Sequence, residues 1–154
     1  MLQRIQSLYL LLSVILTIVL LFIPIGYIGS TFEYNAFVLK EIETGSIGML
    51  TFYIAAMLII SAIISIVVIF LYKNRKKQMN LISLNMMLFL ITYVLMLWVY
   101  PDFIFTRKGF ITNATDFVFN HWIMLGIVPA FLMILANRAI RKDEELVRSA
   151  DRLR

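Results

Sequence analysis

The chain of 154 residues has no cysteine. Disulfides, thiolate metal sites, thiol oxidation and cysteine nucleophiles are therefore excluded together. His121 is its single histidine, which rules out bis-histidine haem ligation within one chain. Charge is scarce as well: 15% of residues are Asp, Glu, Lys or Arg, against about a quarter in soluble globular domains. None of these charges falls inside the long apolar runs, and no inverted repeat is visible, so the usual ingredients of an ion-coupled transporter are missing. There is no Ser/His/Asp set, phosphate-binding glycine loop or HExxH pattern. With so few ligands, no metal, cofactor or catalytic residue is assigned.

What remains is apolar surface. Hydrophobic residues make up 62% of the chain, and the mean hydropathy is +0.91. This composition belongs to an integral membrane protein of one domain, residues 1–154. Four runs, at about 6–28, 50–72, 80–100 and 117–137, are each long enough to cross a hydrocarbon core, which takes about 20 helical residues. Because they are continuously apolar, they read as helices and not as barrel strands. The expected fold is an all-α bundle of four transmembrane helices. The first run is longer than the apolar part of a secretory signal, so it reads as a retained anchor.

"KNRKKQ", from Lys73 to Gln78, lies between the second and third runs. The five polar flanks hold one, one, four, two and six Lys or Arg in chain order. The first, third and fifth therefore carry eleven of the fourteen basic residues. Short loops rich in Lys and Arg stay cytoplasmic, so both termini are expected inside. Trp98, Tyr100, Trp122, Tyr27 and Tyr34 near the outer ends, with Tyr9 and Tyr72 near the inner ones, fit interfacial belts. The net charge of +5 and pI near 9.6 follow from orientation, and no nucleic-acid partner is expected.

The two outer segments are expected either to form a small sheet or to lie as irregular loops. "TFEYNAFVLKEIE" (Thr31 to Glu43) alternates in part, and "DFIFTRKGFIT" (Asp102 to Thr112) reads as a hairpin around Arg-Lys-Gly. In the fourth helix, Pro129 should free the carbonyl of Leu125 and bend the helix, as a static kink or a hinge. Gly126 and Ala130 form a small-xxx-small pair, with Ala55, Ser61, Ala62 and Ser65 as a matching small surface on the second helix. Asn85, placed one turn inside the third helix, and His121 are the candidate intramembrane polar residues. Asn137 is a further polar position. An interhelical hydrogen bond is the plainer role for Asn85 and an interfacial one for His121.

Residues 138–154 should continue the fourth helix into the cytoplasm, projecting by about 25 Å at 1.5 Å per residue. Glu144, Leu146, Arg148, Ala150 and Leu153 are the candidate partner-docking residues: Glu144 and Arg148 are spaced as an ion pair, and Leu146, Ala150 and Leu153 share a stripe. A solvated extension is the alternative.

The opening "MLQRIQSLYLLLS" and the tail "RAIRKDEELVRSADRLR" resemble a family of small four-helix bacterial inner-membrane proteins designated a domain of unknown function (type 4293). The resemblance implies four helices in a bacterial cytoplasmic membrane and carries over no site residues. The expected role is a non-enzymatic accessory or scaffold subunit whose partners are the lipid bilayer and a membrane protein or further copies of itself. One alternative is an oligomeric channel or transporter-like protein using Asn85, His121 and Pro129. Another is a membrane enzyme acting on lipid or quinone through His121, Asn120 and Asp116.

Overall fold

Four helices of the computed structural model are long and apolar enough to cross a membrane. The structure describes residues 2–72, 74–111 and 117–152. α1 (Leu2–Phe22) leads into four short strands, β1 (Gly26–Ile28), β2 (Phe32–Tyr34), β3 (Val38–Glu41) and β4 (Ile47–Leu50). α2 (Phe52–Phe70) and α3 (Arg75–Val94) follow, and α3 runs on as a π-helix, Leu95–Phe105. After β5 (Phe117–Phe119), a 3-10 helix (His121–Gly126) enters α4 (Ile127–Arg152).

The helices form a ring in which α1 and α3 each pack against α2 and α4. α2 illustrates why. Its buried positions, Ile54, Ala55, Leu58, Ser61, Ala62, Ser65 and Val68, recur at spacings of three and four. Ile59, Ile60, Ile63, Ile66 and Val67 point outward. Lipid tails are as apolar as leucine, so burying bulk gains little in a bilayer, whereas small residues let helices approach and form close van der Waals contacts. Ala55, Ser61, Ala62 and Ser65 face in beside Ile54, Leu58 and Val68, while the other face is branched aliphatic.

At the far end from the α2–α3 turn, the strands make one antiparallel sheet in the order β4-β3-β2-β1-β5. A sheet is therefore present, but its second contributor differs from the expected one. Residues 102–105, read as the first strand of a hairpin, are helical. The third apolar run is bounded at residue 100, and a proline ring at 101 clashes with the carbonyl one α-turn back in an ordinary α-helix. The wider π-turn accommodates Pro101 and carries the helix to Phe105. Gly109, at φ +80°, then reverses the chain, with the Phe110 amide donating to the Phe105 carbonyl at 3.0 Å. The strand that completes the sheet is Phe117–Phe119, which had been placed in the fourth helix; it pairs with β1 through Gly26 opposite Phe119. Likewise, the first helix stops at Phe22, and residues 26–28 become β1.

Tyr34 fastens the sheet to the bundle. It is fully buried, stacked on Tyr100 and edge-on to Phe105 and Phe117, and its hydroxyl donates to the Met96 carbonyl at 3.4 Å. Burial, reinforced by Tyr100, pushes its phenol well above the ordinary range, so it remains a donor. At the sheet's exposed turn, the Glu41 carboxylate accepts from the hydroxyls of Ser46 and Thr44, which lowers its pKa from 4.5. The stabilising contribution is therefore complete above the ordinary glutamate value and is lost as pH falls through the lower folded one. Amide exchange at Gly45 and Ser46 should accelerate as pH is taken from 6 to 3, beyond the intrinsic pH dependence, while that of β1 and β2 should not. A uniform response would contradict this local role.

Candidate functional site: the basic end of the bundle

Arg75, Lys76 and Lys77 occupy the first turn of α3. A helix N-terminus is the positive end of its dipole, so each cation there costs stability. Helix formation alone would not select them. Asn74 offsets part of the cost as N-cap, its Oδ1 accepting from the Lys77 amide at 3.3 Å, and Gln78 Nε2 donates to the Val68 carbonyl at the end of α2. The turn between α2 and α3 is thereby closed by side chains of the charged segment itself.

Arg75 reaches across to α4. Its Nη2 lies 3.2 Å from Asp143 Oδ2, and its Nη1 donates to the Asp143 carbonyl at 3.0 Å. The two side chains are 24% and 15% exposed, so solvent only partly screens the pair. This clamp changes the expected projection of the tail. Ile140 is buried in the bundle core and Asp143 is held by the turn, so residues up to 143 pack as part of the bundle. Only residues 144–152 of the described helix extend further, about 13 Å at 1.5 Å per residue.

Beyond the clamp, a groove of about 490 Å³ opens between the turn and the tail, lined by Asn74, Arg75, Lys76, Glu144 and Val147. Glu144 is half-buried there, and Leu146 (50% exposed) and Val147 (43%) are uncovered. Arg148 and Ala150 continue the helix, whereas Leu153 lies outside the described residues. The exposed apolar pair is therefore Leu146 with Val147, and Val147 was missed because it falls off the Leu146–Ala150–Leu153 stripe.

Asn85 is buried where α3 meets α2 and α4. α3 begins at Arg75, ten residues or about 15 Å before Asn85, and its charged and polar opening runs to Asn80. Asn85 Nδ2 donates to Ser65 Oγ at 2.7 Å and approaches Met133 Sδ at 3.8 Å, tying α2, α3 and α4 together, while Oδ1 is buried without a partner. A double-mutant cycle of Asn85→Ala and Ser65→Ala, read by denaturant unfolding in micelles, should return a coupling of about 0.6 kcal/mol and no more than about 2. Zero coupling would contradict the bond.

His121 is remote from Asn85, exposed at the start of the 3-10 helix. Asn120 is engaged as that helix's cap, accepting from the Trp122 amide at 3.2 Å, and Asp116 lies outside the described residues. Among the described residues, no three His, Cys, Asp or Glu side chains gather as a metal site. Pro129 is the third residue of α4, just after the 3-10 helix His121–Gly126 passes into it. Its carbonyl accepts from Ser13 Oγ at 3.4 Å. Gly126 makes its close approach to the ring of Tyr93 and not to another helix backbone.

These features define a mostly helical protein with four helices compatible with multiple membrane passes, a small sheet at one end and a clamped basic surface at the other. The model of a family described as a domain of unknown function (DUF4293) matches residues 2–153, and the chain belongs to that family. No curated protein shows significant similarity to the chain.

Proposed function

We propose that this protein is a non-enzymatic accessory or scaffold subunit of a bacterial inner membrane, with both termini cytoplasmic, recruiting a larger membrane assembly through the end of α4. The observation that carries this reading is the clamp. Arg75 fixes the direction in which the tail leaves the bundle, and Leu146 and Val147 are presented uncovered just beyond it. A docking helix that is already ordered loses less entropy on binding than a disordered one. The eleven-to-three distribution of basic residues supports the orientation.

The pore reading gains no comparable support. Ser61, Ser65 and Asn85 face the interior of a packed bundle, while the outward face of α2 is branched aliphatic. Photo-crosslinking from the exposed position 145 in cells, comparing the full chain with Leu146→Asp/Val147→Asp, tests the proposal. A discrete crosslinked partner lost in the variant is expected. The same crosslinks in both would overturn it.

A further inference from the structure

A second, smaller groove lies at the same end, between α3 and α4. Met86, Ile134, Asn137, Arg138 and Arg141 line it, and its volume is about 190 Å³. Ile134, Asn137, Arg138 and Arg141 recur at helical spacing and so share one face of α4. Asn137 Nδ2 bonds Ser83 Oγ at 3.3 Å, joining the two helices beside it. The groove is thus apolar toward the middle of the span and cationic toward its end.

Its charge is not used within the fold. Asp143, two residues after Arg141, is taken up by Arg75 of the neighbouring helix. Arg138 and Arg141 are both exposed. We propose that this groove binds the headgroup phosphate of an anionic phospholipid, its acyl chains running along Met86 and Ile134. Two guanidinium groups present planar, forked donors that match a phosphate, and their position where the apolar run ends is the depth at which lipid phosphates lie. Most small-molecule pockets enclose about 300–1,000 Å³. This groove suits a headgroup alone, with the rest of the lipid in the bilayer. The inference shares with the proposed function the placement of the chain in a membrane, but not the docking helix, since Arg138 and Arg141 lie before the clamp.

Native mass spectrometry of the full chain in detergent, titrated with phosphatidylglycerol or phosphatidylcholine of the same acyl chains, is the test. Phosphatidylglycerol should bind preferentially. Each basic residue facing an anionic lipid is worth roughly a factor of five, so Arg138→Gln/Arg141→Gln should weaken binding about thirtyfold. Phosphatidylcholine binding should be unchanged. Lys76→Gln/Lys77→Gln removes the same charge at the same end but outside this groove, and should change affinity by less than about twofold. Met86→Trp fills the groove without altering charge and should also lose phosphatidylglycerol, which keeps the test open if the arginine variant fails to fold. Equal binding of both lipids, equal loss in the lysine variant, or unaltered binding in Met86→Trp would overturn the site. Displacement of the lipid by millimolar inorganic phosphate would assign it to a free anion instead.

Discussion

Replacing Tyr34 by alanine should cost about 3–5 kcal/mol, the range for deleting a fully buried aromatic ring. The loss should be local in character. Tyr34 is the point at which β2 meets the π-helix through Tyr100 and Phe105 and meets β5 through Phe117, so removing it opens a cavity between sheet and bundle. The helices retain their own contacts. In detergent, Tyr34→Ala should therefore lower the thermal midpoint and make residues 29–46 susceptible to protease while the spans remain protected. Tyr34→Phe keeps the ring and gives up only a hydroxyl contact of 3.4 Å to the Met96 carbonyl, and should cost no more than about 1.5 kcal/mol. If the alanine variant unfolded no more easily than the phenylalanine one, the ring would not be what fastens the sheet.

Gly126→Val is expected to be the next most damaging change. A Cβ at Gly126 would lie 3.0 Å from Tyr93 Cζ and closer still to Cε2. Tyr93 cannot swing aside freely, because its hydroxyl donates to the Ile123 carbonyl at 2.7 Å. Either the ring moves and that bond is lost, or α3 and the start of α4 separate. Overpacking costs about 1–3 kcal/mol and a hydrogen bond about 1 kcal/mol, so a loss of about 2–4 kcal/mol is expected. Tyr93→Leu should cost something alone yet recover part of the loss when combined with Gly126→Val, because it removes the atoms that clash. Additive effects in the double variant would contradict the close approach.

The parts of this fold that were legible in the sequence are those carried by long local signals. Four apolar runs of helical length needed no tertiary information, and the charged turn between the second and third was visible as a cluster. The short strands were harder. Phe117–Phe119 is three apolar residues beside an apolar run, and only pairing with β1 makes it a strand. The third helix runs past residue 100 because it widens to a π-helix across Pro101, which the sequence does not reveal. The candidate site was half legible. Asp143 stands out as an acid in a basic flank, but its partner Arg75 comes from another helix. Tyr34 was legible only as an interfacial aromatic and not as a buried anchor, since the rings around it arrive from α3's continuation and from β5.

The central claim is that the sheet and the basic clamp lie on opposite faces of one membrane, with the clamp and both termini in the cytoplasm. The absence of native cysteine gives a clean background for labelling. Single replacements Glu43→Cys and Lys108→Cys report the sheet end, and Lys76→Cys and Glu145→Cys report the clamp end; all four positions are exposed. A membrane-impermeant maleimide applied to intact spheroplasts should modify positions 43 and 108 and reach 76 and 145 only after permeabilisation. Labelling of 76 and 145 in intact spheroplasts, or of all four alike, would contradict the account.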